Sequence, residues 1–164
     1  RMHSALDVAR YIINYSNKKD YHISNLKLQK LLYFTQAYYL AFTDSHKPCF
    51  PERIEAWNFG PVVPEVYHEF KFYGANHIPP VRDYYEYEDD RNIWSVKKNS
   101  YSDHSLPKKD RKIIEEVVDE FADYSASDLV TLTHDQKPWQ DAYEPHMRNK
   151  ISKRSIREYF EANE

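Results

Sequence analysis

Glycine is nearly absent: the chain has two in 164 residues, where about eleven would be usual. The glycine-rich loops that cradle nucleotide phosphates cannot be built from so few. Cysteine occurs once, as Cys49, which excludes an intramolecular disulfide and any cysteine-based zinc cage. It reads as a reduced thiol in a cytoplasmic protein. Excess positive charge is missing too. Lys and Arg number 23 against 26 Asp and Glu, for a net charge of −3 and a pI of about 6.3, so nothing in the overall charge points to nucleic acid. No apolar run is long enough to span a bilayer. No charged-then-apolar leader opens the chain, which argues against secretion. Repeats and low-complexity tracts are absent as well.

Aromatic residues are plentiful, at 16% of the chain with fifteen tyrosines. Tyrosine has apolar bulk and a polar tip, so it suits a wet core edge and an interaction surface alike. The length predicts one domain over residues 2–164 that can bury a core without staples. Its longest stretch free of Gly, Pro and acid is LKLQKLLYFTQAYYLAF, residues 26–42. At 100° per residue, Leu28, Leu31, Leu32, Tyr38, Tyr39 and Phe42 share one broad face, while Leu26, Tyr33, Ala37 and Leu40 share the opposite one. Narrow polar stripes, Gln29 with Gln36 and Lys27 with Lys30, separate them. Two apolar faces predict a helix covered on both sides. The fold expected is mainly α (α+β): a helical domain around a central buried helix, with a small antiparallel β-hairpin.

The flanking elements read as follows. Residues 4–16 form a helix opened by Ser4 and Asp7 as a capping box. Residues 53–58 are a strand or a turn of helix. Gly60-Pro61 is a turn signal and Pro64 opens a helix that Gly74 closes. YYEYEDDRNIWSV reads as a hairpin with an acidic tip. Residues 107–124 form a surface helix, with Glu115, Glu116, Asp119, Glu120 and Asp123 solvated. Short helices follow Ser125 or Ser127, Pro138 and Ser152.

Chemistry-bearing patterns are sparse. Eight histidines give no tight ligand pair and no HExxH. His134-Asp135 suits a metal or acid–base pair, but a structural histidine near a helix end explains it better. Cys49 with a histidine is a formal nucleophile pair with no local support. The cluster Arg148, Lys150, Lys153, Arg154 and Arg157 fits phosphates or an acidic partner, and fits a solvated helix face better. Lys27 and Lys30 are expected to neutralise neighbouring acids or to snorkel from the core. The residues alone define a mostly helical domain without a recognisable active site.

The stretch LKLQKLLYFTQAYYLA, then IEAWNFGPVVPEVYHEFKFYG, THDQKPWQDAY and a terminal I-S-x-x-x-I-x-x-Y-F, resembles the Panacea domain of SocA-like antitoxins, also known as phage-associated proteins. The resemblance covers about residues 4–160 and is specific as an ordered combination; segment 75–106 carries no motif. It implies a non-enzymatic, cofactor-free antitoxin of a bacterial or prophage pair that neutralises a cognate toxin encoded nearby. The alternatives are an adaptor delivering the toxin to a AAA+ protease or, further off, a metal-dependent enzyme. Added DNA-binding domains occur in the family, and this chain has no room for one outside the motif region. The family-motif residues are Lys27, Gln29, Lys30, Trp57, Gly60, Pro61, Pro64, His134, Pro138 and Trp139, expected mainly as fold determinants. The toxin interface is expected on the motif-free hairpin: Tyr84, Tyr85, Tyr87 and Trp94 as aromatic anchors, with Glu86, Glu88, Asp89 and Asp90 steering a basic toxin.

Overall fold

Ser24 begins the element on which everything else packs. Its Oγ accepts the Lys27 N–H at 3.3 Å, and helix α2 runs Asn25–Phe42. In the computed structural model, which describes residues 2–87 and 95–164, fifteen of the eighteen residues of α2 are buried. Helices α1 (Ala5–Lys18), α3 (Pro64–Phe70), α4 (Lys108–Glu120), α5 (Ala126–His134) and α7 (Lys153–Ala162) all contact it, as does strand β2 (Gly60–Val62). The expectation of a helix covered on both faces holds. Phe34 stacks on Phe121 with centroids 4.3 Å apart, and Tyr33 and Phe34 both meet Phe160 of α7 edge-on. Burial is the main stabilising term here, at roughly 1.5–3 kcal/mol per large apolar side chain.

The polar stripes of α2 are buried as well, and they hold loop backbone in place. Gln36 Oε1 accepts the Cys49 N–H at 2.8 Å and its Nε2 donates to the Phe50 carbonyl at 2.8 Å. Gln29 Oε1 accepts the Val63 N–H at 2.9 Å. Such buried peptide groups are costly when unpaired. Lys27 and Lys30, expected to neutralise neighbouring acids or to snorkel, are both buried, and their amines turn to backbone carbonyls, with Asp123 and Asp128 near Lys27 alone. Lys27 Nζ donates to the carbonyls of Phe121 (2.8 Å) and Tyr124 (2.6 Å), capping the negative end of α4. Helix α4 accordingly stops at Glu120, short of the expected Tyr124. Lys30 is fully enclosed and donates to the Pro61 carbonyl at 3.1 Å.

Helix α1 packs on α4 through tyrosine–carboxylate bonds. Tyr11 donates to Glu115; Tyr15 and Tyr21 both donate to Asp119, at 2.8 and 2.9 Å. Two acids expected to be merely solvated therefore join helices. Burial first, then the adjoining carboxylates, push the Tyr11 and Tyr15 hydroxyls well above the ordinary tyrosine range. Ser4 Oγ accepts the Asp7 N–H. The full reciprocal capping box forms at Ser125 and Asp128.

Two small antiparallel sheets complete the fold among the described residues. Residues left open as strand or helix form β1 (Ile54–Trp57), flanked by β2 and by β5 (Lys150–Ile151). Glu55 faces Val62, Trp57 faces Gly60 and Ile54 faces Ile151. The expected hairpin is β3 (Asp83–Tyr87) with β4 (Val96–Ser100), in a register that sets Tyr85 opposite Lys98 and Glu86 opposite Lys97. Between α6 (Lys137–Ala142) and β5 the chain passes His146 at φ +65°.

Candidate protein-interaction site

Three segments that lie far apart in sequence meet around the turn joining β1 to β2. Gly60 adopts φ +104°, which residues with a Cβ rarely occupy. Its missing side chain also matters sterically: a Cβ there would lie 2.7 Å from Lys30 Cε and 2.9 Å from Thr133 Oγ1. The backbone thus presses onto the buried amine of Lys30. Burial lowers the Lys30 pKa to about 7, because a single carbonyl is a poor replacement for water around an ammonium.

The other side of the turn is held by an aromatic stack. His134, at the end of α5, lies 4.0 Å from Trp139 of α6, and Trp139 lies 4.5 Å from Tyr143, all near-parallel. Each ring also bonds to the turn. His134 Nε2 donates to the Asn58 carbonyl at 2.9 Å, Trp139 Nε1 donates to the Trp57 carbonyl at 2.8 Å, and the Tyr143 hydroxyl donates to Asn58 Oδ1. Pro138 is buried in the first turn of α6. Pro64 opens α3, which places Tyr67 edge-on to Trp57 at 5.0 Å. The family-motif residues Gln29, Lys30, Trp57, Gly60, Pro61, His134 and Trp139 therefore build one clamp, while Lys27 caps α4. His134 is a clamp member, and its neighbour Asp135 caps α5 through its backbone.

Outside the clamp the turn displays Phe59, 66% exposed. Beside it lies a groove of about 460 Å³ bordered by Trp57, Tyr67, His146, Met147 and Arg148. The Arg148 guanidinium carbon sits 4.2 Å from the centre of the Trp57 ring. Sequence reasoning did not single out Phe59, Asn58, Tyr143 or Met147, although an aromatic residue between a strand and a Gly-Pro turn was a usable signal. It placed Arg148 only in a basic cluster. That cluster is dispersed: Arg154 and Arg157 pair with Glu158 and Glu161 along α7, and Lys153 donates to the Pro51 carbonyl.

The hairpin presents a second surface. Tyr84 faces inward, with the Arg10 guanidinium 3.5 Å from its ring centre. Tyr85 (64% exposed), Tyr87 and Val96 face out, bordering a groove of about 410 Å³ shared with Phe70 and Tyr73. Glu86 accepts from Asn99 at 2.8 Å. The expected positions Glu88, Asp89, Asp90 and Trp94 lie outside the described residues. Helix α3 and the 3-10 turn Lys71–Tyr73 connect the two grooves, and Phe72 on that turn is almost wholly exposed.

Cys49, the formal nucleophile of the sequence, is buried. Burial and the nearby Asp110 carboxylate hold the Cys49 thiol protonated, the reverse of an activated nucleophile. Among the described residues no three His, Cys, Asp or Glu side chains cluster as a metal site. No described helix is long and apolar enough to cross a membrane.

The fold is a mainly helical scaffold with small antiparallel sheets that leaves Phe59, Phe72, Tyr85 and Tyr87 exposed. The chain belongs to the family described as antitoxin SocA-like, Panacea domain, whose model matches residues 28–140. It is similar to Antitoxin SocA of Caulobacter vibrioides (strain NA1000 / CB15N), 34% identical over 139 residues, covering 80% of this chain and 66% of that protein. The chain thus spans just under two thirds of that relative's length. No solved structure matches it.

Proposed function

We propose that the chain is an antitoxin that neutralises a toxin protein in the cytoplasm by binding it directly, without chemistry of its own. Family membership carries this reading, and the relative named Antitoxin SocA supports it. The exposed aromatics give it a physical basis, since such side chains dominate the energy of protein interfaces. The hairpin supplies Tyr85 and Tyr87 as anchors and Glu86 as a steering charge for a basic toxin; the acids Glu88, Asp89 and Asp90 add to that charge in sequence, and Trp94 is a further anchor candidate. A stable interface buries about 1,600 Å² in total, within reach of a molecule exposing 9764 Å².

Co-expression with the adjacent gene tests the proposal. Growth rescued by the chain, with the two proteins co-purifying, supports direct neutralisation. Toxicity that the chain leaves unrelieved overturns it. Rescue that disappears in a protease deletion strain, with a longer toxin lifetime there, replaces sequestration with delivery to a AAA+ protease.

A further inference from the structure

The groove beside the Asn58–Phe59 turn has a shape, a charge and a rigidity that together select an occupant. Its walls are aromatic and apolar: Trp57, Phe59, Tyr67 and Met147. Phe59 and Met147 are 66% and 52% exposed, a concentration of apolar surface that marks interaction sites. No carboxylate lines the groove among the described residues; its ionisable side chains other than Tyr67 are the bases Arg148 and His146. The acid next to it on β1, Glu55, is already committed. It accepts from the Trp57 indole N–H at 2.9 Å and from Arg53 Nε at 3.1 Å. The Arg148 guanidinium lies over the Trp57 ring with no carboxylate partner within 4.0 Å among the described residues, so its fork is held in place by the stack and free to bind.

Rigidity comes from behind. The turn is fixed by Lys30 and Thr133 against Gly60 and by the bonds from His134, Trp139 and Tyr143. A surface already fixed in its bound shape loses little conformational entropy on association.

We propose that this groove docks an extended segment of a partner protein in which an apolar side chain stands beside a carboxylate. The apolar side chain packs between Phe59, Met147 and Trp57, and the carboxylate takes the Arg148 guanidinium. Naming that partner as the toxin rests on the antitoxin reading; the chemistry of the segment rests on the groove.

Selection of phage-displayed random peptides on the full chain tests the proposal without a known partner. Wild type should enrich peptides that pair an aromatic or branched apolar residue with Asp or Glu. A synthetic peptide from that pool should bind at least tenfold more weakly to Arg148→Glu and to Phe59→Ala, and equally well to Arg154→Ala, which lies outside the groove lining. Arg148→Glu should shift the selection toward Lys or Arg beside the apolar residue. Failure to enrich any motif, or peptides that bind Arg148→Glu as tightly as wild type, overturns the proposal. Both side chains project outward, so unchanged far-ultraviolet circular dichroism is expected. Should Phe59→Ala unfold, the charge reversal at Arg148 decides alone. In the co-expression assay, a toxin lost with Tyr85→Ala/Tyr87→Ala yet retained by Arg148→Glu removes the groove from the toxin interface and leaves the antitoxin reading standing. A wild-type chain that fails to rescue growth sinks that reading, while the peptide selection still judges the groove.

Discussion

The β1–β2 turn and the β3–β4 hairpin both display aromatics, yet they are supported in opposite ways. Behind the turn stand a buried lysine, a glycine in a conformation other residues rarely adopt, and a three-ring stack whose members each bond to the turn's backbone or to Asn58. The hairpin is a two-stranded sheet whose ladder is extended by the Tyr101 N–H to Arg82 carbonyl bond and which is tied to α1 by the Arg10–Tyr84 contact and the paired Asn14–Val81 bonds at 2.7 and 2.9 Å. Two strands alone are marginal in water. The turn is a surface whose shape is set before any partner arrives, and its supports are the family-motif residues. The hairpin lies in the segment without motif residues, where sequence can change without disturbing the core. The family-motif residues and the motif-free hairpin thus occupy different places in the fold.

Substitutions can break this comparison, and the largest effect is expected at its common foundation. Leu31→Asp places a carboxylate at a fully buried site on α2. The penalty, at least several kcal/mol, rivals the whole stability of a domain this size, so loss of the helical circular dichroism signal is expected. Next comes Gly60→Ala, which adds a Cβ against Lys30 and Thr133 at positive φ; a cost of about 2–4 kcal/mol is expected in urea unfolding. Trp139→Ala removes the middle of the stack and the bond to Trp57. It should cost near the low end of the roughly 3–5 kcal/mol seen for buried aromatics and raise amide exchange at Asn58–Gly60.

The buried Lys30 sharpens the comparison through pH. Its pKa falls from the ordinary lysine value to about 7 on folding, so between about pH 7 and pH 10 the unfolded chain binds more protons than the folded one. Stability therefore rises with pH across that window, by on the order of 1 kcal/mol per unit, and the full penalty is present below pH 7. Lys27 shifts in the same direction through burial. Above about pH 10, tyrosines that ionise only when unfolded reverse the trend. Lys30→Met should flatten most of the rise in urea midpoints measured from pH 7 to pH 10. The smallest stability effects belong to the hairpin. Arg10→Ala should cost about 1 kcal/mol locally and speed exchange of the β3 amides more than those of α2. Tyr85→Ala should change global stability by less than about 0.5 kcal/mol while weakening the proposed toxin binding, a loss without unfolding.

The sequence carried the helices because their signals are local. The two-faced period of residues 26–42, the cap at Ser152, and Pro64 and Pro138 at helix starts all translate directly into structure. What it did not carry is long-range. That His134, Trp139 and Tyr143 bond to Trp57 and Asn58, some eighty residues earlier, leaves no trace in any window of the chain. Lys30 read as half of a polar stripe because pattern cannot tell a lysine that reaches water from one that reaches a carbonyl. The motif residues were legible as a set, while the clamp they form, and Phe59 displayed by it, required the tertiary contacts.

The pairing of distant elements also has a meaning in time. Strand β5 completes the sheet begun by β1, and α7 brings Phe160 onto Tyr33 and Phe34. A ribosome moving at roughly 5–20 residues per second makes these partners on the order of ten seconds apart. Through that interval the nascent chain holds α2 without its last cover, and Arg148 has not yet reached Trp57. If the chain restrains a toxin, protection begins only when the last of these pieces has docked, so gene order and relative translation rate set how long newly made toxin goes unopposed.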